Sequence, residues 1–183
     1  MMLLHKTLSD LCDSVHYLFS IYDLESIFPH MSRNSLKALL GRAVRDGILK
    51  RVCRGIYIFE YVDYSKGYEL FHAAARLRAD CFNYISLETA LSDAGIISQM
   101  PLDRITIMSS GRKSEINCNE FGTIEFIHTK KKLSDIENNL NYDNMCRMWR
   151  ADITLAYRDL KSVSRNLDLV DQEGLKDAVR SVS

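Results

Sequence analysis

Proline is nearly absent and glycine is sparse, two and eight in 183 residues. That excludes a collagen-like, proline-rich or low-complexity chain. Long apolar runs are missing as well. No stretch approaches the roughly 20 apolar residues that a membrane helix needs. Met1 to Leu4, the apolar run ahead of His5 and Lys6, is too short for the core of a signal peptide. The cysteines (Cys12, Cys53, Cys81, Cys118 and Cys146) lie far apart and are odd in number, with no CxxC pair. A zinc ribbon and a thioredoxin-like motif are thereby excluded, and scattered thiols fit a reducing compartment. The expectation is a soluble, cytoplasmic protein with no membrane partner.

Catalytic and metal-binding patterns are missing too. Ser109-Ser110-Gly111-Arg112-Lys113-Ser114 has the look of a phosphate loop but lacks its glycines, because Ile107 and Arg112 stand where the pattern needs them. Pro101-Leu102-Asp103 followed by Glu125 invites comparison with a restriction-type nuclease core, yet Ile127 occupies the place of its lysine. His5, His16, His30, His72 and His128 fall into no metal-ligand spacing, and there is no Gly-x-Ser-x-Gly elbow. No enzyme, cofactor or metal is expected. Lys130-Lys131-Lys132 reads as a solvated run.

Net charge is absent in sum only. The chain has 24 Lys and Arg against 24 Asp and Glu. The segment from His30 to Arg54 holds seven of the cations and one acid, Asp46, a net of +6, so the remainder carries −6. A local basic stripe is the electrostatic footprint of a phosphate-backbone binder. The split suggests that residues 30–54 face a polyanion and that an acidic body turns away.

The apolar pattern gives this segment a shape. Leu4, Leu8, Leu11, Val15, Leu18 and Phe19 recur with helical spacing. A short helix fits Asp23 to Phe28, capped by Asp23 and ended before Pro29. A third starts at Ser32, runs to Asp46 and stops at Gly47; Leu36, Leu39, Leu40, Ala43 and Val44 form its inner face. Gly41 sits mid-helix, where it is about 1 kcal/mol worse than alanine. Close approach to DNA or to another helix would account for it, and so would a tolerated surface defect. The runs 48–52 and 56–59, around Cys53-Arg54-Gly55, read as a hairpin.

Helix, short helix, basic helix and basic hairpin in this order predict a winged helix-turn-helix. A helix fits the major groove and presents side chains to base edges. Arg33 and Asn34, then Lys37, are the candidates for reading bases, and Ser32 for a phosphate contact. Arg42, Arg45, Lys50, Arg51 and Arg54 suit backbone phosphates. The same unit could instead dock a partner protein through its basic face.

Further on, a helix is expected over 66–80, a second over 86–94 closed by Gly95, and strands over 104–108, 115–118 and 123–128. These make a small α+β unit with an antiparallel sheet. Ser134-x-x-Glu137 has a capping-box pattern. Residues 144–163 are expected to form a longer helix with Trp149 in the core, and 172–182 a last one. The fold class is therefore α+β: a winged helix-turn-helix domain over 1–61, then an α/β domain over 62–183 with C-terminal helices.

The stretch from Ser35 through Leu40-Gly41-Arg42-Ala43-Val44-Arg45-Asp46-Gly47-Ile48-Leu49-Lys50-Arg51 to Tyr57 resembles the winged-helix domain of AbiEi-type antitoxins, bacterial abortive-infection regulators. Residues 84–97, Phe121 to Phe126, and Ala151 to Leu160 resemble later parts of the same family. The resemblance implies a nucleoid-associated transcriptional regulator that binds double-stranded operator repeats upstream of its own operon. It would act as autorepressor and antitoxin of a type IV toxin–antitoxin pair, in phage defence, countering a nucleotidyltransferase toxin functionally or by direct contact. A homodimer would match repeated half-sites, although no heptad seam is present. The alternatives are a stand-alone winged-helix regulator and a protein-interaction module without toxin neutralisation.

Overall fold

The computed structural model describes residues 1–98 and 103–182. The protein is α+β, and it divides by packing into two compact units, Met1–Leu77 and Arg78–Ser183. The expected boundary at residue 61 fell before a helix that packs with the first unit.

In the first unit, α1 spans Met2–Leu11 and buries Leu4 and Leu8. It is shorter than its apolar spacing suggests. The Asp13 carboxylate accepts the backbone N–H groups of Val15 and His16, at 2.7 and 2.6 Å, and turns the chain. Leu18–Ser20 then forms strand β1 instead of continuing the helix. Helix α2, Ile21–Ile27, is capped by Ser20, not Asp23. Asp23 is the reciprocal partner of a capping box: Ser20 Oγ accepts its N–H, and its carboxylate accepts the N–H of Ser20. Helix α3, Arg33–Arg45, starts at the expected cap, with Ser32 Oγ accepting the N–H of Ser35.

Strands β2 (Leu49–Cys53) and β3 (Ile56–Phe59) form the hairpin, and β1 pairs with β3, giving an antiparallel sheet in the order β1-β3-β2. Leu24 of α2, Phe28 at its C-cap, Leu36 and Leu40 of α3, Leu4, Leu8, Phe19 and Phe59 close one core between helices and sheet. Helix α4, Glu69–Leu77, is shorter than the expected 66–80. Its His72 Nδ1 lies 2.6 Å from the Tyr17 hydroxyl, both buried, and Tyr17 stacks on Tyr64.

The second unit is built on a six-stranded sheet. Strands β4 (Asn83–Ile85), β5 (Arg104–Ser109), β6 (Ser114–Asn117), β7 (Thr123–His128), β8 (Leu140–Asp143) and β9 (Met148–Ala151) lie in the order β6-β7-β5-β4-β9-β8. The sheet is mixed, because β5 pairs β7 and β4 pairs β9 in parallel. The expected antiparallel sheet is corrected accordingly. Helices α5 (Leu87–Asp93), α6 (Ile153–Val163) and α7 (Gln172–Val182) accompany it, with α5 packed on β5 and α6, and α6 on β9 and α7.

The largest correction is the helix expected over 144–163. Asp143 accepts the N–H groups of Met145 and Cys146 and Arg147 takes a left-handed φ of 54°, so residues 140–151 fold as a hairpin. Asp152 then caps α6 through the N–H of Leu155. Trp149 is not core: it stands 40% exposed on β9, edge-on to Tyr142. The Ser134 capping box does not form either. Two short 3-10 turns occupy 133–139, and Ser134 Oγ donates to Asp135.

Candidate nucleic-acid interface

Part of the basic segment comes together because α3 and the β2–β3 hairpin share the core beneath them. Leu36, Leu39, Leu40 and Ala43 point inward, which leaves Arg33, Asn34, Lys37, Gly41, Arg42 and Arg45 exposed. The hairpin turn carries Arg54 and then Gly55 at φ +84°, a left-handed conformation that glycine adopts without strain. The turn is tied down by Ile21, whose N–H donates to the Gly55 carbonyl at 2.8 Å.

Between α3, the hairpin and the start of α2 runs an open groove of about 700 Å³. Five cations line it: Arg33 and Lys37 from α3, Arg51 and Arg54 from the hairpin, and Arg76 from α4. Among the described residues, none of its lining groups is a carboxylate. Arg33 is pre-set by two neighbours. Its Nε lies 3.0 Å from Glu25 Oε1, and its guanidinium is 5.3 Å from the ring centroid of Tyr22. Arg51 folds back so that Nε donates to the Cys53 carbonyl at 3.2 Å.

The predicted contact residues therefore separate into groups. Arg33, Lys37, Arg51 and Arg54 meet at the groove. Asn34, Arg42 and Arg45 are exposed on α3 outside it, the two arginines in the last turn, where they also complement the helix dipole. Lys50 is half-buried on β2 opposite Ile58. Ser32 spends its hydroxyl on the cap and on Ser35 Oγ. Sequence reasoning missed Arg76 and Tyr22. Arg76 lies outside the contiguous basic window, and an isolated arginine carries no signal until α4 packs against β1 and β3.

The acid that balances the basic segment is mostly close by. Residues 1–77 hold ten Lys and Arg against eight Asp and Glu, a net of +2, leaving −2 for the rest. The −6 outside residues 30–54 thus divides into −4 within the first unit and −2 in the rest of the chain. Asp23 lies 3.5 Å from Arg76, and Glu25 pairs Arg33.

The second unit places its polar groups in buried clusters. Asp159 is fully buried and accepts from Tyr84, Ser86 and Lys131. Lys131 is therefore a structural partner, not part of a solvated run. Burial, with Asp159 beside it, raises the Tyr84 phenol well above its usual range. The turn at 109–114, which looked like a phosphate loop, is filled from within by Arg78. This side chain donates to Ser109 Oγ, Ser114 Oγ and the Arg112 carbonyl. Glu125 is buried and held by Arg165 at 2.8 Å and Arg104 at 3.5 Å. Pro101 and Leu102 lie outside the described residues. Among the described residues no cluster of His, Cys, Asp and Glu could hold a metal ion, and no helix is long and apolar enough to cross a membrane. No family model and no curated protein matches the chain.

Proposed function

We propose that the first unit is a winged helix-turn-helix that binds double-stranded DNA, and that the protein is a transcriptional regulator. The groove carries this reading: cations from three separate elements converge on it without a carboxylate among its described lining groups. Such convergence suits a phosphate backbone, whose neutralisation supplies most of the affinity. The element order α1-β1-α2-α3-β2-β3, with a two-strand wing beside α3, supports the winged-helix assignment. In that frame α3 is the recognition helix, and Asn34, exposed in its first turn outside the groove, is the base reader, while Arg33 joins the groove cations.

The wider role we propose is that of autorepressor and antitoxin of a type IV toxin–antitoxin operon, countering a nucleotidyltransferase toxin. Its support is the resemblance of stretches 42–57 and 84–97 to AbiEi-type antitoxins.

A mobility shift of the full chain on the duplex immediately upstream of its own reading frame, at moderate salt, tests the DNA reading. Lys37→Ala and Arg45→Ala should each weaken the complex. Unchanged affinity in both variants would remove α3 from the interface. Co-expression with the product of the neighbouring frame tests the antitoxin role, which fails if growth arrest is not relieved.

A further inference from the structure

We propose that the groove of the first unit seats one sugar-phosphate strand of duplex DNA directly over the bare backbone of Gly41, with Arg76 of α4 as a further phosphate contact. This rests on the DNA-binding reading and goes beyond it. It names the point of closest approach and a cation outside the basic segment.

Gly41 is unexplained by the protein's own needs. It sits inside α3, where glycine is less favourable than alanine. Its backbone is not in the left-handed region, so an L side chain would be accepted there. A Cβ built at this position meets nothing within 4 Å, so no neighbouring element demands the space. The space it leaves opens onto the groove, of which Gly41 is part of the wall. Glycine in this setting is the residue that lets another backbone come close.

The surroundings say what kind of backbone. Lys37 lies one turn before Gly41 on α3, and Arg51 and Arg54 also line the groove from the hairpin. Arg76 adds a cation from an element that the basic segment does not include. Its partner Asp23 is 3.5 Å away, with both side chains partly in water. An exposed pair of this length is weak, so a phosphate oxygen can take over the guanidinium. The groove is open and of about 700 Å³, which suits a continuous polyanion better than one enclosed phosphate.

The test combines duplex binding with thermal unfolding of the full chain. The probe is a fluorescent duplex of the DNA immediately upstream of the reading frame, alongside each of its single strands. Gly41→Ala should raise the unfolding temperature, because alanine is the better helix former, and yet weaken duplex binding. Gly41→Gln should fill the wall and weaken binding roughly tenfold or more. Arg76→Ala should weaken binding several-fold and reduce the salt dependence by about one phosphate contact. Lys113→Ala, in the second unit, should leave binding unchanged.

Wild-type affinity in a folded Gly41→Gln would overturn the seat over Gly41, and an unaltered salt slope in Arg76→Ala would overturn that contact. Both outcomes leave DNA binding itself intact. Tighter binding of the single strands than of the duplex would overturn the duplex as occupant. A wild-type chain with no duplex affinity at low salt would end the DNA-binding reading, and this inference with it.

Discussion

Arg165 donates from Nε to Glu88 Oε1 at 2.6 Å, and Glu88 is fully buried. The same guanidinium reaches Glu125 Oε1 at 2.8 Å through Nη1. One cation, on the segment after α6, thus bridges two carboxylates, on α5 and on β7, and Arg104 adds a second cation at Glu125. Asn166, in a left-handed backbone conformation, adds a second donor to Glu88 at 2.7 Å. The hydrogen bond to Glu125, together with attraction to both acids, raises the Arg165 pKa against the opposing effect of burial. Arg165 and Asn166, just beyond α6, are thereby tied to α5 and, through Glu125, to the sheet.

Arg165→Ala takes the cation from buried Glu88 and leaves Glu125 with Arg104. Removing one partner of a buried pair costs about 3–5 kcal/mol. Urea unfolding of the variant should show a loss of that order. Arg165→Lys should recover only part of it, since an ammonium cannot reproduce the two-sided fork. A loss below about 1 kcal/mol in Arg165→Ala would mean that the carboxylates find other partners and that the bridge is not what holds this segment.

How much of this was legible in the sequence depends on how local each signal is. Helix α3 was legible to its cap, because Ser32, the 36-39-40-43 spacing and Gly47 all act within a few residues of each other. The β2–β3 hairpin was legible for the same reason, through Gly55. The hairpin at 140–151 was not. Met145, Met148 and Trp149 happen to fall at helical intervals, and the determinant that overrides them is one carboxylate, Asp143, accepting two backbone N–H groups. Strand β1 is three residues long and exists only because β3 pairs with it. The parallel pairings of β5 with β7 and β4 with β9 join distant segments, which no local pattern encodes. At the candidate interface the basic window located four of the five groove cations. Arg76 needed the tertiary packing of α4.

The turn that ends α1 should titrate. Asp13 lies in open solvent, and its carboxyl is lowered from 3.8 to about 2, first by the N–H and then the side chain of His16, then by the N–H of Val15. The folded value lies below the unfolded one. Its stabilising contribution is therefore present above about pH 4 and is lost as the pH falls toward 2. Side-chain carboxyl NMR should place the Asp13 midpoint near 2, with the amide shifts of Val15 and His16 moving in the same titration. An Asp13 midpoint at the ordinary carboxylate value would show that the turn is not held by the charged form. Asp13→Ala should abolish the coupled amide shifts while α3 and the hairpin keep theirs.

Affinity and specificity should separate between two residues of the candidate interface. Arg54 lines the groove from the hairpin turn, whereas Asn34 is exposed in the first turn of α3 outside it. A phosphate contact contributes equally to every sequence and adds about one unit to the slope of log affinity against log salt. A base contact leaves that slope alone and discriminates by about 1–3 kcal/mol at one position. Arg54→Ala should therefore weaken binding to upstream and scrambled duplexes alike and flatten the salt dependence by about one unit. Asn34→Ala should keep the slope and lose preference at a single base pair. Anisotropy titrations over a salt series, on a set of singly substituted duplexes, read both quantities at once. An Arg54→Ala variant that keeps its slope but changes base preference would exchange the two roles, putting the hairpin turn rather than the start of α3 against the bases.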